Sequence, residues 1–508
     1  MTLYARKYRT KTGRERLTAF REQTMRTAAV ICECNPLHNG HAYLFRELRC
    51  RARADYVLAI MSGNFVQRGE PAIYDKFTRA EMVLLAGADA VIELPPLFAM
   101  SSAREFATAA VRTAEATGVV DVLGFGAEGT KPDAAEGKTP IDHSASMPDF
   151  PSVSASVSPS VSPAASPSAS LTESNDKLLS QLTKAASLLQ FETEPEVQIR
   201  LRAALQNGLT YPAARSLALT AFLTEEHINA GLLAELASLL QHPNNILALE
   251  YLRALEAEKK DRRSARQIGA LAIQRRGDNY HSEQPEDACF TSATALRGLL
   301  LQPRELLSEE ARREQLARYC PEAALPVFAK APNPLSPESI SLLLNAAILA
   351  EKSAAKTVDT ENAGGLFMRY ADMSEALSNR LLRQQHTIGC FSQRVQQLKT
   401  RQYTQLRVQR ALLHLALHIT EAEVQAAKEA GYVQYLRLLG FRREAAPLLR
   451  NIKEAASLPL VTKPAAAKPL LAADSRFDEL YYALRATSPS ASAKSLRSEF
   501  SRSPVIIG

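Results

Sequence analysis

The sequence predicts an α/β fold with a parallel sheet in its first part and a mostly helical second part. Apolar runs of strand length alternate with helical patterns up to about residue 127, which is typical of a parallel sheet covered by helices on both faces. Beyond about residue 303 the pattern is mostly helical. A Ser-, Pro- and Ala-rich stretch from about 130 to 170 cannot build a core, so we expect it to be a disordered insert.

The elements of the first part follow from periodicity and from breaker residues. An apolar run from Ala28 to Ile31 predicts the first strand; it breaks at Asn35-Pro36 and leads into a helical pattern from Ala42 to Leu48. The other predicted strands are Tyr56–Met61, Ala88–Leu94, Val119–Phe125 and Ala270–Gln274, and the helices are Asp75–Ala86, Ser101–Ala116 and a helical stretch from Asn175 to about Leu255. Ligands bind at the carboxyl ends of parallel strands, so the loops that follow these strands should form the site.

Composition and charge narrow the class of protein. The 508 residues can form two or three domains, 46% of them are hydrophobic, and the net charge of +7 favours an anionic partner. No apolar run reaches the length of a membrane span, so we expect no membrane partner. The six cysteines form no Cys-x-x-Cys pair, which indicates reduced thiols in a cytoplasmic protein.

The first strand leads into the sequence His38-Asn39-Gly40-His41 at the start of a helix. The N–H groups and the positive dipole end of that helix would face the turn, so an anion could bind there. Imidazoles at this place could donate hydrogen bonds to phosphate oxygens, with most effect on charge that builds up in a transition state. Two other interpretations remain: a plain helix start with two partly exposed histidines, or a metal site, against which the lack of a nearby ligand cluster argues.

Two further segments could contact substrates. The polar loop from Met61 to Ala72 follows the second strand, where substrate contacts are expected, although it could equally be an ordinary connection. Ser292, Thr294 and Arg297 lie near a second helix start and could hold the distal phosphates of a nucleotide. The alternative for these three is a plain Ser/Thr cap beside a surface arginine.

A stretch without any acidic residue, from Ala376 to Thr420, points to nucleic acid. A surface of one charge sign with an interleaved aromatic suits RNA, whose phosphates give affinity and whose bases can stack. The alternative is a solvated charged face. Arg407 and Arg410 are three apart on a predicted helix, so we expect both to face one phosphate-lined surface. The predicted RNA-binding residues are Lys399, Arg401, Tyr403, Arg407 and Arg410.

Taken together, the motifs resemble the bacterial tRNA(Met) cytidine acetate ligases, members of the nucleotidyltransferase superfamily marked by His-x-Gly-His. The residues that carry the resemblance lie within Glu33–His41, Met61–Pro71, Glu93–Pro95, Phe125–Glu128, Pro243–Leu247, Tyr280-His281, Ser292–Arg297, Thr400–Arg410 and Leu438–Phe441. The resemblance implies that acetate and ATP, with Mg²⁺, are used to acetylate N4 of the wobble cytidine of elongator tRNA(Met). The reaction would pass through acetyl-adenylate and release AMP and pyrophosphate.

The resemblance also implies roles for individual residues. His38 and His41 would be catalytic. The ATP contacts would be Ile31, Cys32, Glu33, Cys34, Asn35, Pro36, Leu37, His38, Asn39, Gly40, His41, Ala42, Tyr43, Leu44, Gly126, one of Asn244 or Asn245, Arg275, Ser292, Thr294 and Arg297. The substrate loop would contribute Ser62, Gly63, Asn64, Gln67 and Arg68. No residue stands out as a general base.

The domain organisation and two competing functions complete the interpretation. We expect a basic N-terminal arm at 1–24, a Rossmann-like nucleotidyltransferase domain at 25–300 that binds ATP, a helical tRNA-binding domain at 301–463 and a flexible tail at 464–508.

One competing function is an adenylyltransferase that acts on a small phosphate ester or mononucleotide, which would not need the basic helical part. The other is a non-catalytic RNA-binding protein, against which the intact His-x-Gly-His motif argues.

Overall fold

The computed structural model describes residues 25–129, 169–261, 266–275, 289–303, 305–355, 365–384, 389–486 and 498–508. The basic arm, the predicted insert up to residue 168 and the Tyr280-His281 motif lie outside these residues. The strands are β1 Thr27–Cys32, β2 Tyr56–Ser62, β3 Phe65–Val66, β4 Glu70–Pro71, β5 Ala90–Leu94, β6 Val120–Ala127, β7 Gly269–Gln274, β8 Leu436–Arg442, β9 Leu460–Val461 and β10 Val505–Ile507.

Helices make up most of the remaining described residues. In the first part of the chain they are α1 Asn39–Ala52, α2 Lys76–Leu85, α3 Pro96–Ala99, α4 Ala103–Ala116, α5 Ala169–Leu188, α6 Pro195–Gln206, α7 Tyr211–Glu225, α8 Ala230–Leu239, α9 Pro243–Asp261 and α10 Ala293–Leu301. In the second part they are α11 Glu309–Tyr319, α12 Leu325–Lys330, α13 Ser341–Ala355, α14 Glu375–Arg383, α15 Phe391–Leu398, α16 Gln405–Ala416, α17 Glu421–Glu429, α18 Ala446–Ala455 and α19 Lys468–Ala486. None of the described helices is long and apolar enough to span a membrane.

The centre of the fold is a parallel sheet in the order β5-β2-β1-β6-β7, which confirms the predicted α/β class. Ala28, Ala29 and Val30 of β1 have no solvent exposure, as expected for a central strand covered on both faces. Helix α1 packs so close to β6 that a Cβ on Gly124 would collide with the side chain of Leu48. The first strand and the helix after it are therefore fixed by the core, and the turn between them lies at the carboxyl edge of the sheet.

The second part of the chain completes this sheet, which differs from the predicted organisation. Strand β8 pairs antiparallel with β5, and β9 and β10 pair with β8. The sequence predicts a mostly helical region up to residue 463 and a flexible tail after it; the structure adds a sheet strand at Leu436–Arg442 to that region and, beyond 463, has the helix α19 and the strand β10. The uncharged stretch within β8, Leu438–Phe441, is so short that it fits a buried helix or a strand equally well, and the distant strand that pairs with it leaves no local signal in the sequence.

A cluster of buried charges joins α19 and the C-terminal end to the sheet. Lys76 Nζ lies 2.8 Å from Glu93 Oε2, 2.8 Å from Asp478 Oδ2 and 3.2 Å from Glu499 Oε2. Arg437 Nε on β8 donates to Glu499 Oε1 at 2.8 Å. Burial raises the pKa of the Asp478 carboxyl to about 8. Residues from five segments thus depend on one another for charge compensation, which makes the C-terminal end part of the core.

Candidate functional site

The turn between β1 and α1 is held by its own polar side chains. Asn35 Oδ1 accepts a hydrogen bond from the Ile73 N–H at 2.8 Å. Asn39 Nδ2 donates to the carbonyl oxygens of Cys289 and Arg318 at 2.9 and 3.0 Å. The first bond ties the turn to the loop after β4, and the other two tie the start of α1 to the segments around α10 and α11. The turn is therefore preorganised from both sides.

His38 and His41 cap the start of α1 reciprocally. His38 Nδ1 accepts from the Gly40 N–H at 3.0 Å, and His41 Nδ1 accepts from the His38 N–H at 3.3 Å. The two ring centroids lie 4.0 Å apart. Because each Nδ1 is an acceptor, the neutral form of each imidazole carries its proton on Nε2. The cap thus fixes the tautomer and leaves each Nε2–H as the donor.

The surroundings keep both imidazoles neutral. Burial, the partner histidine and the guanidinium groups of Arg275 and Arg297 hold the pKa of His38 well below its usual range. Burial and Arg275 lower the pKa of His41 from 6.5 to about 3. Neutral rings donate through Nε2 at physiological pH and add no charge of their own, while Arg275 supplies positive charge nearby.

Gly40 is required by the position of the His38 ring. A Cβ at residue 40 would lie 2.8 Å from His38 Cε1 and 2.9 Å from His38 Nδ1. No side chain fits there unless the ring moves, and moving the ring breaks the hydrogen bond from the Gly40 N–H. The glycine of the motif therefore serves the cap itself, in addition to any close approach of a ligand.

A cavity opens in front of the two histidines. Seven predicted contacts line it: His38, Gly40, His41, Tyr43, Leu44, Gly126 and Arg275. Four residues that the sequence reasoning missed line it as well: Ile273, Gln274, Phe290 and Thr291. Ile273 and Gln274 are the last residues of β7; the expectation that the site follows the carboxyl ends of the strands extends to them once the final residues of each strand are counted with the loops. Thr291 directly precedes the predicted Ser292 motif, and its hydroxyl oxygen is buried without a hydrogen-bond partner among the described residues.

Glu33, Cys34 and Leu37, three further predicted contacts from the β1–α1 turn, are not part of the cavity lining. Cys34 and Leu37 are fully buried in the core around α1 and α2. Glu33 Oε1 accepts from the Gln67 N–H at 2.7 Å, and burial raises the pKa of this carboxyl while Arg68 lowers it. These residues shape the turn that presents the histidines and fasten it to the loop between β2 and α2.

Arg275 lies opposite the histidines. Its backbone N–H donates to the Ala127 carbonyl at 2.9 Å, and its side chain passes over Gly126, where a Cβ would lie 3.3 Å from Arg275 Cγ. Arg275 Nη1 donates to Asn244 Oδ1 at 3.3 Å. Asn245, in contrast, is fully buried and binds the backbone N–H and carbonyl of Glu128 at 2.8 and 3.1 Å. Of the two asparagines, Asn244 is thus the one that reaches the arginine of the cavity.

Ser292, Thr294 and Arg297 are brought to the same edge but not to the cavity wall. Ser292 Oγ caps α10 by accepting from the Ala295 N–H at 3.1 Å. Arg297 Nη1 donates to the Asn35 carbonyl at 2.8 Å, and Nη2 donates to Thr294 Oγ1 at 3.2 Å. Arg297 therefore connects α10 to the β1–α1 turn through a side-chain hydrogen bond to the backbone of Asn35.

The loop after β2 connects the turn with the helical part of the chain. Asn64 Oδ1 accepts from the Lys76 N–H at 2.8 Å, and Asn64 Nδ2 donates to Asp478 Oδ1 at 2.7 Å. The amide of this predicted substrate contact is therefore hydrogen-bonded within the protein. Ser62 is fully buried, and Gly63 packs against the Glu93 carboxylate. Gly69, at φ +78°, packs directly against the backbone of Arg410 on α16. The loop is a structural bridge between the histidine turn and α16.

The predicted tRNA-binding residues divide into two groups. Lys399 and Arg401 are exposed, and the Arg407 guanidinium lies 5.2 Å from the centre of the partly exposed Tyr403 ring. Beside them, Arg380, Arg383 and Asn379 of α14 line a surface notch with Arg401 and Tyr403. Arg410, however, is mostly buried, and its Nε donates to Asp372 Oδ2 at 3.1 Å. The expectation that Arg407 and Arg410 share one open surface is therefore wrong, because the loop at Gly69 covers the backbone at Arg410.

Comparisons with known proteins agree with this architecture. The model of the HIGH Nucleotidyl Transferase family matches residues 25–146 and 171–496. The tRNA(Met) cytidine acetate ligase of Caldanaerobacter subterraneus subsp. tengcongensis is 31% identical over 445 residues, which cover 87% of this chain and 89% of the relative. The Acetivibrio thermocellus protein of the same name is 31% identical over 439 residues, 86% of this chain and 88% of the relative.

A solved structure matches almost the whole chain. The crystal structure of Thermotoga maritima TmcAL bound with alpha-thio ATP has a TM-score of 0.70 and 25% sequence identity; the match covers 95% of this chain and 100% of that one. The same protein without ligand gives a TM-score of 0.71 with the same coverage. The chain therefore belongs to the tRNA(Met) cytidine acetate ligase family of HIGH nucleotidyltransferases.

Proposed function

We propose that this protein is an ATP-dependent ligase that joins acetate to N4 of the wobble cytidine of elongator tRNA(Met). The observation that carries the proposal is the pair of histidines at the start of α1, whose cap leaves both Nε2–H groups as donors beside the cavity. The curated relatives bear the name of this activity, and the Thermotoga maritima protein binds an ATP analogue.

The cavity suits the first half-reaction, the adenylation of acetate. An acetate oxygen would attack the α-phosphorus of ATP, the bond to the β-phosphate oxygen would break, and pyrophosphate would leave. This step calls for positioned reactants and stabilised phosphoryl charge rather than for a covalent nucleophile. His38 and His41 would donate to α-phosphate oxygens, and Arg275 would balance their charge. Mg²⁺ prefers phosphate oxygens and water to all-protein cages, so we expect it to enter with ATP.

The second half-reaction transfers the acetyl group to RNA. The N4 amine would attack the carbonyl carbon of acetyl-adenylate, a C–N bond would form, and AMP would leave with the electrons of the broken C–O bond. The amine gives up one proton in this step. A wobble base is unpaired in free tRNA and can be turned into a pocket. Lys399, Arg401, Tyr403 and Arg407 would hold the RNA, with the phosphates giving most of the affinity.

One experiment tests the proposal against its competitors. The protein is incubated with ATP, labelled acetate and total tRNA, and the nucleosides are then separated. We expect label in N4-acetylcytidine alone, and acetate-dependent release of pyrophosphate when tRNA is left out. Label in no nucleoside, or in one other than cytidine, would contradict the proposal. Adenylyl transfer to a small phosphate ester without tRNA binding would support the adenylyltransferase instead, and RNA binding without pyrophosphate release would support a non-catalytic RNA-binding protein.

A further inference from the structure

Arg275 is aimed by a short chain of hydrogen bonds that begins at a carboxylate outside the cavity wall. Glu128 Oε1 accepts from Asn244 Nδ2 at 2.5 Å, and Asn244 Oδ1 accepts from Arg275 Nη1 at 3.3 Å. The other carboxylate oxygen, Glu128 Oε2, lies 2.7 Å from His242 Nδ1. Only the Asn244 side chain thus lies between the Glu128 carboxylate and the Arg275 guanidinium in this chain of hydrogen bonds.

The order of donors and acceptors along this chain is set by the carboxylate. An ionised carboxylate accepts hydrogen bonds and donates none, so Asn244 must turn its Nδ2 toward Glu128. The same amide then has only its oxygen left to face the guanidinium, which donates and cannot accept. An amide turned the other way would set its N–H₂ against the N–H groups of Arg275. The side chain at position 128 therefore decides whether Asn244 attracts or repels the arginine.

The backbones at both ends of the chain are fixed by separate contacts. The Glu128 N–H and carbonyl bind the Asn245 side chain, and the Arg275 N–H donates to the Ala127 carbonyl. Asn244 and Asn245 are neighbours at the start of α9, so this helix supplies both the anchor and the relay. A change in the Glu128 side chain should then alter the direction of the guanidinium and leave the loop in place.

We infer that Glu128 is a positioning residue for ATP, acting through Asn244 on Arg275. The inference rests on the proposed use of ATP at this cavity. The guanidinium lowers the pKa of both histidines, so it lies within electrostatic reach of the place where they would meet the α-phosphate. The Glu128–Asn244 pair holds it there before the nucleotide arrives, and a charged group that is already oriented costs no reorganisation on binding.

A reversal of the donor and acceptor tests this chain. Glu128→Gln leaves position 128 with a group that can donate, so Asn244 can turn over and present its N–H₂ to Arg275. We expect the Kd for ATP to rise about tenfold or more, the range for a lost hydrogen bond to a charged group.

Asn244→Asp alone should also weaken ATP binding, because it sets two carboxylates side by side. In the double variant Glu128→Gln with Asn244→Asp, the glutamine can donate to the new carboxylate, which in turn accepts from Arg275. We expect its affinity for ATP to return to within about threefold of the parent value.

Recovery of ATP affinity in the double variant would show that Glu128 orients Arg275, whereas a purely structural role would give no recovery. Asn245→Ala is the matched control from the same helix; it should lower the melting temperature, since it removes the anchor of the Glu128 backbone. Additive losses in the double variant, or an unchanged ATP affinity in Glu128→Gln, would overturn the inference. If the parent binds ATP but forms no acetyl-adenylate from acetate, the proposed function fails and the cycle of ATP affinities still decides the role of Glu128.

Discussion

The backbone N–H of His38 donates to Nδ1 of His41 at 3.3 Å, and because Nδ1 is the acceptor, the neutral His41 ring carries its proton on Nε2. The His41 side chain is thus both a structural acceptor and a candidate donor to phosphate. A replacement at this position removes both functions, so the two contributions must be measured separately.

His41→Ala should mainly lower the rate of acetyl-adenylate formation. The charge on the α-phosphate changes as acetate attacks, and losing one preorganised donor to such charge typically costs about 10²–10³ in rate. ATP binding should change little, since Arg275 and the other cavity residues remain. Single-turnover pyrophosphate release and equilibrium ATP binding on the same preparation measure the two effects. An unchanged adenylation rate would show that His41 has no such role.

The pH dependence should reflect two neutral histidines. Because the pKa of His41 is lowered to about 3 and that of His38 lies well below its usual range, adenylation should show no titration near pH 6.5 that belongs to them. The unfolded chain, in contrast, binds protons at these residues near pH 6.5. Their contribution to stability is therefore fully present above about pH 6.5 and is lost as the pH falls toward 3. Urea unfolding between pH 7.5 and 4.5 measures this loss, and a His41→Gln variant should lose stability less steeply.

Gly40→Ala and Gly298→Ala form a matched pair of substitutions. At residue 40 the new Cβ would lie 2.8 Å from His38 Cε1, so the ring must move and adenylation should fall by tenfold or more, since displacements of about 1 Å can cost 10² in rate. At residue 298, within α10, no described residue outside the local helix backbone has an atom within 4 Å of the new Cβ. The change should therefore stabilise the protein by about 0.5–1 kcal/mol. Adenylation rates and melting temperatures check both. Equal activity in the two variants would mean that the His38 ring tolerates displacement.

The C-terminal end should prove essential for folding, contrary to the sequence-based expectation of a flexible tail. A chain ended at residue 463 lacks Asp478 and Glu499 and leaves Lys76 and Arg437 buried with reduced compensation. Breaking a buried ion pair by removing one partner typically costs about 3–5 kcal/mol. We expect the truncated chain to be insoluble or to melt far below the parent. Asp478→Asn is the milder test, read by urea unfolding; unchanged stability in both would mean that the cluster contributes nothing.

The parts of the molecule that the sequence predicted are those with local signals. Strand-length apolar runs located β1, β2, β5, β6 and β7, and a strand followed by His-x-Gly-His located the cavity. Contacts between distant segments could not be predicted from the sequence, because a pattern along the chain does not show which other segment packs against a given residue. Asn64 is a clear case: it was predicted to face a substrate, and its amide instead binds Asp478, which is 414 residues away.

Arginines of the tRNA surface should differ in effect according to their burial. In a variant that combines Arg401→Ala with Arg407→Ala, the Kd for tRNA should rise, and the slope of log K against log salt should flatten by about one unit for each lost phosphate contact. Arg410→Ala should leave this slope unchanged and instead lower the melting temperature. Its guanidinium pairs with Asp372, whose pKa is lowered by Arg410 and His414, so the substitution leaves a partly buried carboxylate poorly compensated. Arg450→Ala, at an exposed position of α18, is the control for a surface arginine outside the acid-free stretch and should change neither the salt slope nor the melting temperature.

Binding of tRNA is measured by filter retention across a salt series. Acetyl-adenylate synthesis is assayed in parallel and should stay at the parent rate in the Arg401/Arg407 variant. A flattened slope in Arg410→Ala, or a parent-like slope in the double variant, would place the RNA surface elsewhere.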